Sequence, residues 1–190
     1  MISKTSNGQI AKMADAKITI IGAGKMARLL LVHLQTQDVK EITIVNRSPG
    51  SVDTLKAEFP DLVLHYKELP QMLEVVAESD IVYPSTASME PIIFADQLKA
   101  ALAGRTSKGG VQFVDISVPR NVDPACASVA GAFCYNVDDL KAGNPNLAQL
   151  NPELSQLNPK LYPSCGEKHR EEEKRDGRGR VHPKGGTRQV

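Results

Sequence analysis

The chain has 190 residues, 41% of them hydrophobic, with 23 Lys and Arg against 22 Asp and Glu. That length is enough for one ordinary domain with a real core and a tail, and no run approaches the roughly 18 apolar residues needed to span a membrane, so a soluble protein is expected. Residues 1–142 carry 14 basic against 16 acidic residues, a net of −2, while 143–190 carry 9 against 6, a net of +3. Met1 to Ala16 has no apolar block and resembles neither a secretory signal nor an Arg-rich transit peptide.

The first element is a β-branched run, Ile18 to Ile21, suited to a buried parallel strand. It stops at Gly22-Ala23-Gly24, where the backbone must bend sharply and admit a pyrophosphate. From Lys25 the residues Met26, Leu29, Leu30, Val32, His33 and Leu34 recur at helical spacing. The helix N-terminus and its unpaired N–H groups then point at the phosphates. Ala27 takes the third small position of this G-x-G-x-x-A pattern, where only a small residue lets the helix pack on the strand.

The second strand, Ile42 to Val45, selects the cofactor. Dinucleotide folds that take NAD carry an Asp or Glu about 20 residues past the glycines, on the ribose 2′-hydroxyl. Here the strand ends in Asn46-Arg47-Ser48. A carboxylate would repel a 2′-phosphate, whereas a guanidinium pairs with it, so NADPH is expected over NADH. The competing reading makes Arg47 an exposed residue in the turn before Pro49-Gly50.

Strand and helix continue to alternate. Leu62 to His65 is predicted as a third strand, and Glu68 to Glu78 as a helix burying Leu69, Met72, Leu73, Val76 and Ala77. Ile81 to Tyr83 is a fourth strand, Phe94 to Ala103 a helix, Val111 to Asp115 a fifth strand, and Ala132 to Tyr135 an edge strand. This alternation implies an α/β, Rossmann-type doubly wound and mainly parallel sheet with right-handed crossovers. Ligands in such sheets lie outside the carboxyl ends of the strands. That rule nominates 22–26, then Ser85, Thr86 and Ala87, then Ile116, Ser117 and Val118, the last two groups bordering ribose and nicotinamide.

Cys126, Cys134 and Cys165 show no C-x-x-C spacing, which fits a reducing compartment better than a disulfide scaffold. His33, His65, His169 and His182 show no ligand spacing, and no metal site is expected. Texture changes near Ala142-Gly143, where a seven-residue N-P-x-L-x-Q-L echo begins and recurring prolines forbid one long helix. Residues 166–190 are dominated by Lys, Arg, Glu and Gly and are read as disordered. Within them, Lys174 to Arg180 is basic enough to suggest nucleic-acid binding, but Glu171 to Glu173 largely cancel its charge. The expected organisation is an N-terminal extension (1–15), a Rossmann domain (16–142) and a low-complexity tail (143–190).

Five blocks in order carry a family resemblance: Gly22-Ala-Gly-Lys-Met26, Val45-Asn-Arg-Ser48, Ser79-Asp-Ile-Val82 with Ser85-Thr-Ala-Ser88, Val114-Asp-Ile-Ser-Val-Pro-Arg-Asn-Val122 and Tyr135-Asn-Val-Asp-Asp-Leu140. Over about residues 15–142 the chain resembles the NADPH-binding domain of glutamyl-tRNA reductase, most of all the plastid and cyanobacterial branch. The resemblance implies NADPH-dependent reduction of glutamyl-tRNA to glutamate-1-semialdehyde through a cysteine thioester, at the start of tetrapyrrole synthesis, in the plastid stroma or cytoplasm. Departures are equally specific. The family's S-T-C-N-R-type cysteine motif does not occur in this sequence, no catalytic role passes to Cys126 or Cys134, and Gly143-Asn-Pro is expected to stop the helix that leads to the family's dimerisation domain. Ala27 stands where the family usually has Gly, and Pro84 is expected to reshape the loop beside the cofactor. The resulting expectation is a truncated relative that binds NADPH and does not reduce glutamyl-tRNA alone, glutamyl-tRNA becoming a partner only if a catalytic domain is supplied elsewhere. The alternatives are a stand-alone NADP-binding regulatory module and a fragment of a shikimate-dehydrogenase-like enzyme. Cofactor contacts are expected from Gly22, Ala23, Gly24, Lys25, Met26, Ala27, Asn46, Arg47, Ser48, Ser85, Thr86, Ala87, Ile116, Ser117 and Val118. Arg120 is expected either to anchor its loop or to face a catalytic domain.

Overall fold

Runs of Ile, Val and Phe too short to make helices build the strands of a single sheet. The computed structural model describes residues 13–105, 109–136 and 138–139. After a 3-10 turn at Met13–Asp15 come β1 (Ile18–Ile21), α1 (Lys25–Thr36), β2 (Glu41–Asn46), α2 (Pro49–Glu58) and β3 (Val63–Glu68). A second 3-10 turn, Leu69–Gln71, leads to α3 (Met72–Glu78), β4 (Ile81–Pro84), α4 (Ala95–Ala103) and β5 (Val111–Asp115). A 3-10 segment, Pro124–Ser128, precedes β6 (Ala132–Asn136). The strands lie in the order β3-β2-β1-β4-β5-β6 and every pair is parallel. The Rossmann-type sheet expected from the alternation is therefore present.

Parallel strands must be covered on both faces, and β1 and β4 are buried along their whole length. Ile18, Ile20, Ile42, Ile44 and Tyr83 pack against α1 and α2 through Leu30, Leu31, Leu34, Val52 and Leu55. Ile21, Val45, Val82, Val111 and Phe113 pack against α3 and α4 through Met72, Val75, Val76 and Leu98.

At the amino ends of the strands the polar groups are paired. Asp80, which precedes β4, accepts from the Lys17 backbone N–H at 3.1 Å and meets the Arg105 guanidinium at 3.5 Å. Arg105 also donates to the carbonyls of Ala77 (2.6 Å) and Ser79 (2.7 Å). Burial lowers the pKa of this guanidinium from its ordinary value, an effect that Asp80 opposes. On the sheet face towards α3, the Thr19 and Ser79 hydroxyls share a hydrogen bond of 2.7 Å.

Several element boundaries differ from the sequence reading. β3 runs on through Glu68; it is an edge strand with little burial, so its apolar signal is weak. The helix expected from Glu68 begins only at Met72, because Leu69-Pro70-Gln71 takes a 3-10 turn closed by a reciprocal Glu68–Gln71 capping box. The α2 helix was not anticipated: it buries only Val52 and Leu55, and its opening Pro49-Gly50 reads as a turn, although Pro at a first helical position is favourable. On α1 the buried residues are Ala27, Leu30, Leu31 and Leu34, while Leu29 and Val32 face outward. Pro84 belongs to β4, opposite Ile21. The Asn-Pro repeats, the basic run and Cys165 lie outside the described residues.

Candidate functional site

The register of the three central strands sets the site. Ile21 of β1 pairs with Val45 of β2 and with Pro84 of β4, so these strands end level. Gly22, Asn46 and Ser85 lie side by side at these ends, at the point where the chain, having wound from β1 out to β3, crosses back to β4. Ligands bind at such a switch point in doubly wound sheets.

Gly22 is needed by the protein itself. Its φ of +108° suits glycine, and a Cβ there would lie 2.8 Å from the Ser85 carbonyl oxygen. Its N–H donates to the Val45 carbonyl at 2.8 Å, and both the N–H and the hydroxyl of Ser85 donate to Ile21, at 2.8 and 3.1 Å. Gly24 differs. A Cβ there would meet no atom of the described residues within 4 Å, so no neighbour among them excludes a side chain. It is the N-cap of α1 and offers no side-chain cap, which leaves the first N–H groups of the helix without that partner.

These features border a groove of about 600 Å³ lined by 21–26, by Val45, Asn46, Arg47, Ser48 and Ser51, by Leu69, and by Ser85, Thr86 and Ala87. The groove thus brings together three separate segments that the sequence nominated: 22–26, 46–48 and 85–87. Arg47 is exposed at its rim and makes no ion pair among the described residues. Asn46 Nδ2 donates to the Ser48 carbonyl at 2.9 Å, holding the turn that presents Arg47. Ala27 is fully buried on the inner face of α1, in the packing role its size predicts, and does not line the groove. Ser51 and Leu69 were not anticipated; both belong to the α2 start and the 3-10 turn that the sequence concealed.

Ile116, Ser117 and Val118 sit after β5, outside this groove. Ser117 is buried and its hydroxyl donates to the Pro84 carbonyl at 3.1 Å, with Asn121 Oδ1 3.0 Å away. Ile116 belongs to the core, and Val118 is largely exposed. Arg120 pairs at 3.4 Å with Asp138 on the surface. Cys126 is buried and burial raises its thiol to about 11; Cys134, partly buried, is pushed up to about 12. Both therefore stay protonated and unreactive near neutral pH. A larger groove of about 870 Å³ lies between α3 and α4 beside the Asp80–Arg105 pair, at the opposite end of the strands. Its buried charges are already partnered, so the switch-point groove is the better candidate.

Level strand ends, a glycine forced by its neighbours, an uncapped helix start and a solvent-facing arginine define a dinucleotide-binding Rossmann domain. The chain belongs to the shikimate / quinate 5-dehydrogenase family, whose profile matches residues 4–142. Among curated proteins it is similar to glutamyl-tRNA reductases, as the motif blocks led one to expect. It is 48% identical over 130 residues to the glutamyl-tRNA reductase of Rippkaea orientalis, covering 68% of this chain and 30% of that protein. It is 44% identical over 128 residues to the chloroplastic glutamyl-tRNA reductase of Oryza sativa subsp. indica, covering 67% and 24%. The chain thus spans about a quarter to a third of the length of the curated relatives it matches. In fold it is similar to the glutamyl-tRNA reductase from Methanopyrus kandleri (TM-score 0.60, 22% identity, covering 87% of this chain and 41% of that one). It is also similar to shikimate 5-dehydrogenase from Listeria monocytogenes (TM-score 0.51, 19% identity, covering 80% and 57%). No helix among the described residues is long and apolar enough to cross a membrane.

Proposed function

We propose that this chain is the NADPH-binding part of a glutamyl-tRNA reductase-type oxidoreductase of tetrapyrrole synthesis, working in the plastid stroma or cytoplasm with a cysteine-bearing catalytic part that supplies the glutamyl-tRNA site. The observation that supports it best is the groove itself, where an open glycine, an uncapped helix start and an exposed arginine converge on three strand ends. NADPH, when bound, would supply hydride to the activated carboxyl carbon of the glutamyl group. The residues of this chain bind and orient it. Gly24, Lys25 and Met26 present backbone N–H groups to the pyrophosphate. Arg47, with Ser48 beside it, offers a planar cation for the 2′-phosphate. Ser85, Thr86 and Ala87 form the wall over the other half of the dinucleotide. The 48% identity to a glutamyl-tRNA reductase favours this activity over that of a shikimate-type dehydrogenase, to which the chain is related in fold.

Calorimetric titration with NADPH and NADH tests the reading. NADPH is expected to bind more tightly, and Arg47→Ala to weaken NADPH about 10- to 100-fold while leaving NADH unchanged, the effect of losing charge-assisted hydrogen bonds to a phosphate. Equal affinity for both nucleotides, or an Arg47→Ala chain that keeps its preference, would overturn the assignment.

A further inference from the structure

Asn121 lies in no strand or helix, lines no part of the groove, and is fully buried. Its Oδ1 accepts two hydrogen bonds, from the Thr86 N–H at 3.0 Å and the Thr86 hydroxyl at 2.6 Å, and lies 3.0 Å from the Ser117 hydroxyl. Its Nδ2 donates to the Ser88 carbonyl at 3.4 Å. Its carbonyl accepts from the N–H groups of Ile92 and Ile93, and its own N–H donates at 2.7 Å to Asp115, whose carboxylate also accepts from Ser117 and Val122. One side chain thus ties the loop after β4 to the loop after β5, and Asp115 holds that side chain's backbone still.

The arrangement has a directional consequence. Of the three groove segments, only 85–88 has its shape set by Asn121; the 22–26 turn is fixed by Val45 and Ser85, and the 46–48 turn by its own Asn46. In a doubly wound sheet the two halves of a dinucleotide rest on the two halves of the sheet, and Thr86 and Ala87 stand on the β4–β5 half, away from Arg47. We infer that Asn121 is a positioning residue for the nicotinamide half of the cofactor, acting through Thr86, and that it leaves binding of the adenosine 2′-phosphate half untouched. The inference rests on the proposed NADPH function.

The test compares NADPH with adenosine 2′,5′-bisphosphate, which carries only the adenosine and 2′-phosphate features, by calorimetry on the full chain. Asn121→Ala is expected to weaken NADPH about tenfold and the bisphosphate less than twofold, since the loss corresponds to a buried hydrogen-bonded loop going slack. It is also expected to reduce the change in NADPH fluorescence on binding, which reports the nicotinamide environment. Equal weakening of both ligands, as from a general loss of folding, would overturn the inference, and so would no change in either. Should Asn121→Ala not fold, Thr86→Ser and Thr86→Val decide: the hydroxyl-bearing variant is expected to bind NADPH several-fold more tightly, and equal affinities would overturn the inference. If the unsubstituted chain binds the bisphosphate but not NADPH, the inference fails while the Arg47 site stands; if it binds neither, the proposed function itself fails.

Discussion

The two ends of the sheet handle polar groups in opposite ways. At the amino ends, Asp80 and Arg105 are almost wholly buried and meet each other, while Asp80 also bonds the Lys17 N–H and Arg105 the two carbonyls of the α3 end. At the carboxyl ends, Gly24 leaves open space, α1 starts without a side-chain cap and Arg47 points into solvent. Most buried polar groups that serve the fold find partners, because an unpaired one costs stability. Groups left open around a concave surface are kept for something that arrives from outside. A buried ion pair is therefore poor evidence of a site here, and an apparent gap in the bonding is better evidence.

Substitutions at each end should separate along that line. The largest loss of stability is expected from Arg105→Ala, which removes the cation beside a buried carboxylate and the donor to two carbonyls, at a cost of about 3–5 kcal/mol; chemical denaturation reads it, and NADPH affinity of the folded fraction should not move. Gly22→Ala comes next, at about 2–4 kcal/mol, because it combines an unfavourable φ with overlap on the Ser85 carbonyl. Here stability and NADPH binding should fall together, and a chain that kept its melting temperature would contradict the tight turn. Gly24→Ala should split the two readouts. With φ at −93° and no neighbour within 4 Å, alanine fits, and the loss of a favoured N-cap residue should cost the fold no more than about 1 kcal/mol, while NADPH binds about tenfold more weakly. Unchanged NADPH affinity would remove the phosphate from that position. The smallest effect is expected at Tyr83, whose buried hydroxyl has no hydrogen-bond partner among the described residues and whose ionisation is pushed far up by burial. Tyr83→Phe should be neutral or stabilising by up to about 1 kcal/mol, and a clear loss of stability would reveal a partner for that hydroxyl.

The centre of the sheet was legible from the sequence because β1 and β2 are dense β-branched runs, and β5 falls where its pattern put it. The helix α2 and the 3-10 turn at Leu69 were not, since one buries two residues and the other is shaped by a capping box inside a run with helical periodicity. The same two elements carry Ser51 and Leu69 into the groove, so part of the site was hidden with them. Cys126 shows a milder case: no catalytic role was expected of it, but the elevated thiol follows from surroundings that no spacing records.

Residue identity alone determined the parts of this protein whose reasons are local. A strand followed by glycines and a helix start must turn there, and Asn46-Arg47-Ser48 offers a cation where a carboxylate would refuse a 2′-phosphate. Only the tertiary structure decided which polar residues remain available. It separated Gly22, which the Ser85 carbonyl demands, from Gly24, beside which the described residues leave open space. It also buried Asn121 as the joint between two loops whose residues lie 35 positions apart in the chain. The reason is that a hydrogen bond across such a separation depends on strand order and register, and these are set by packing both faces of the sheet at once.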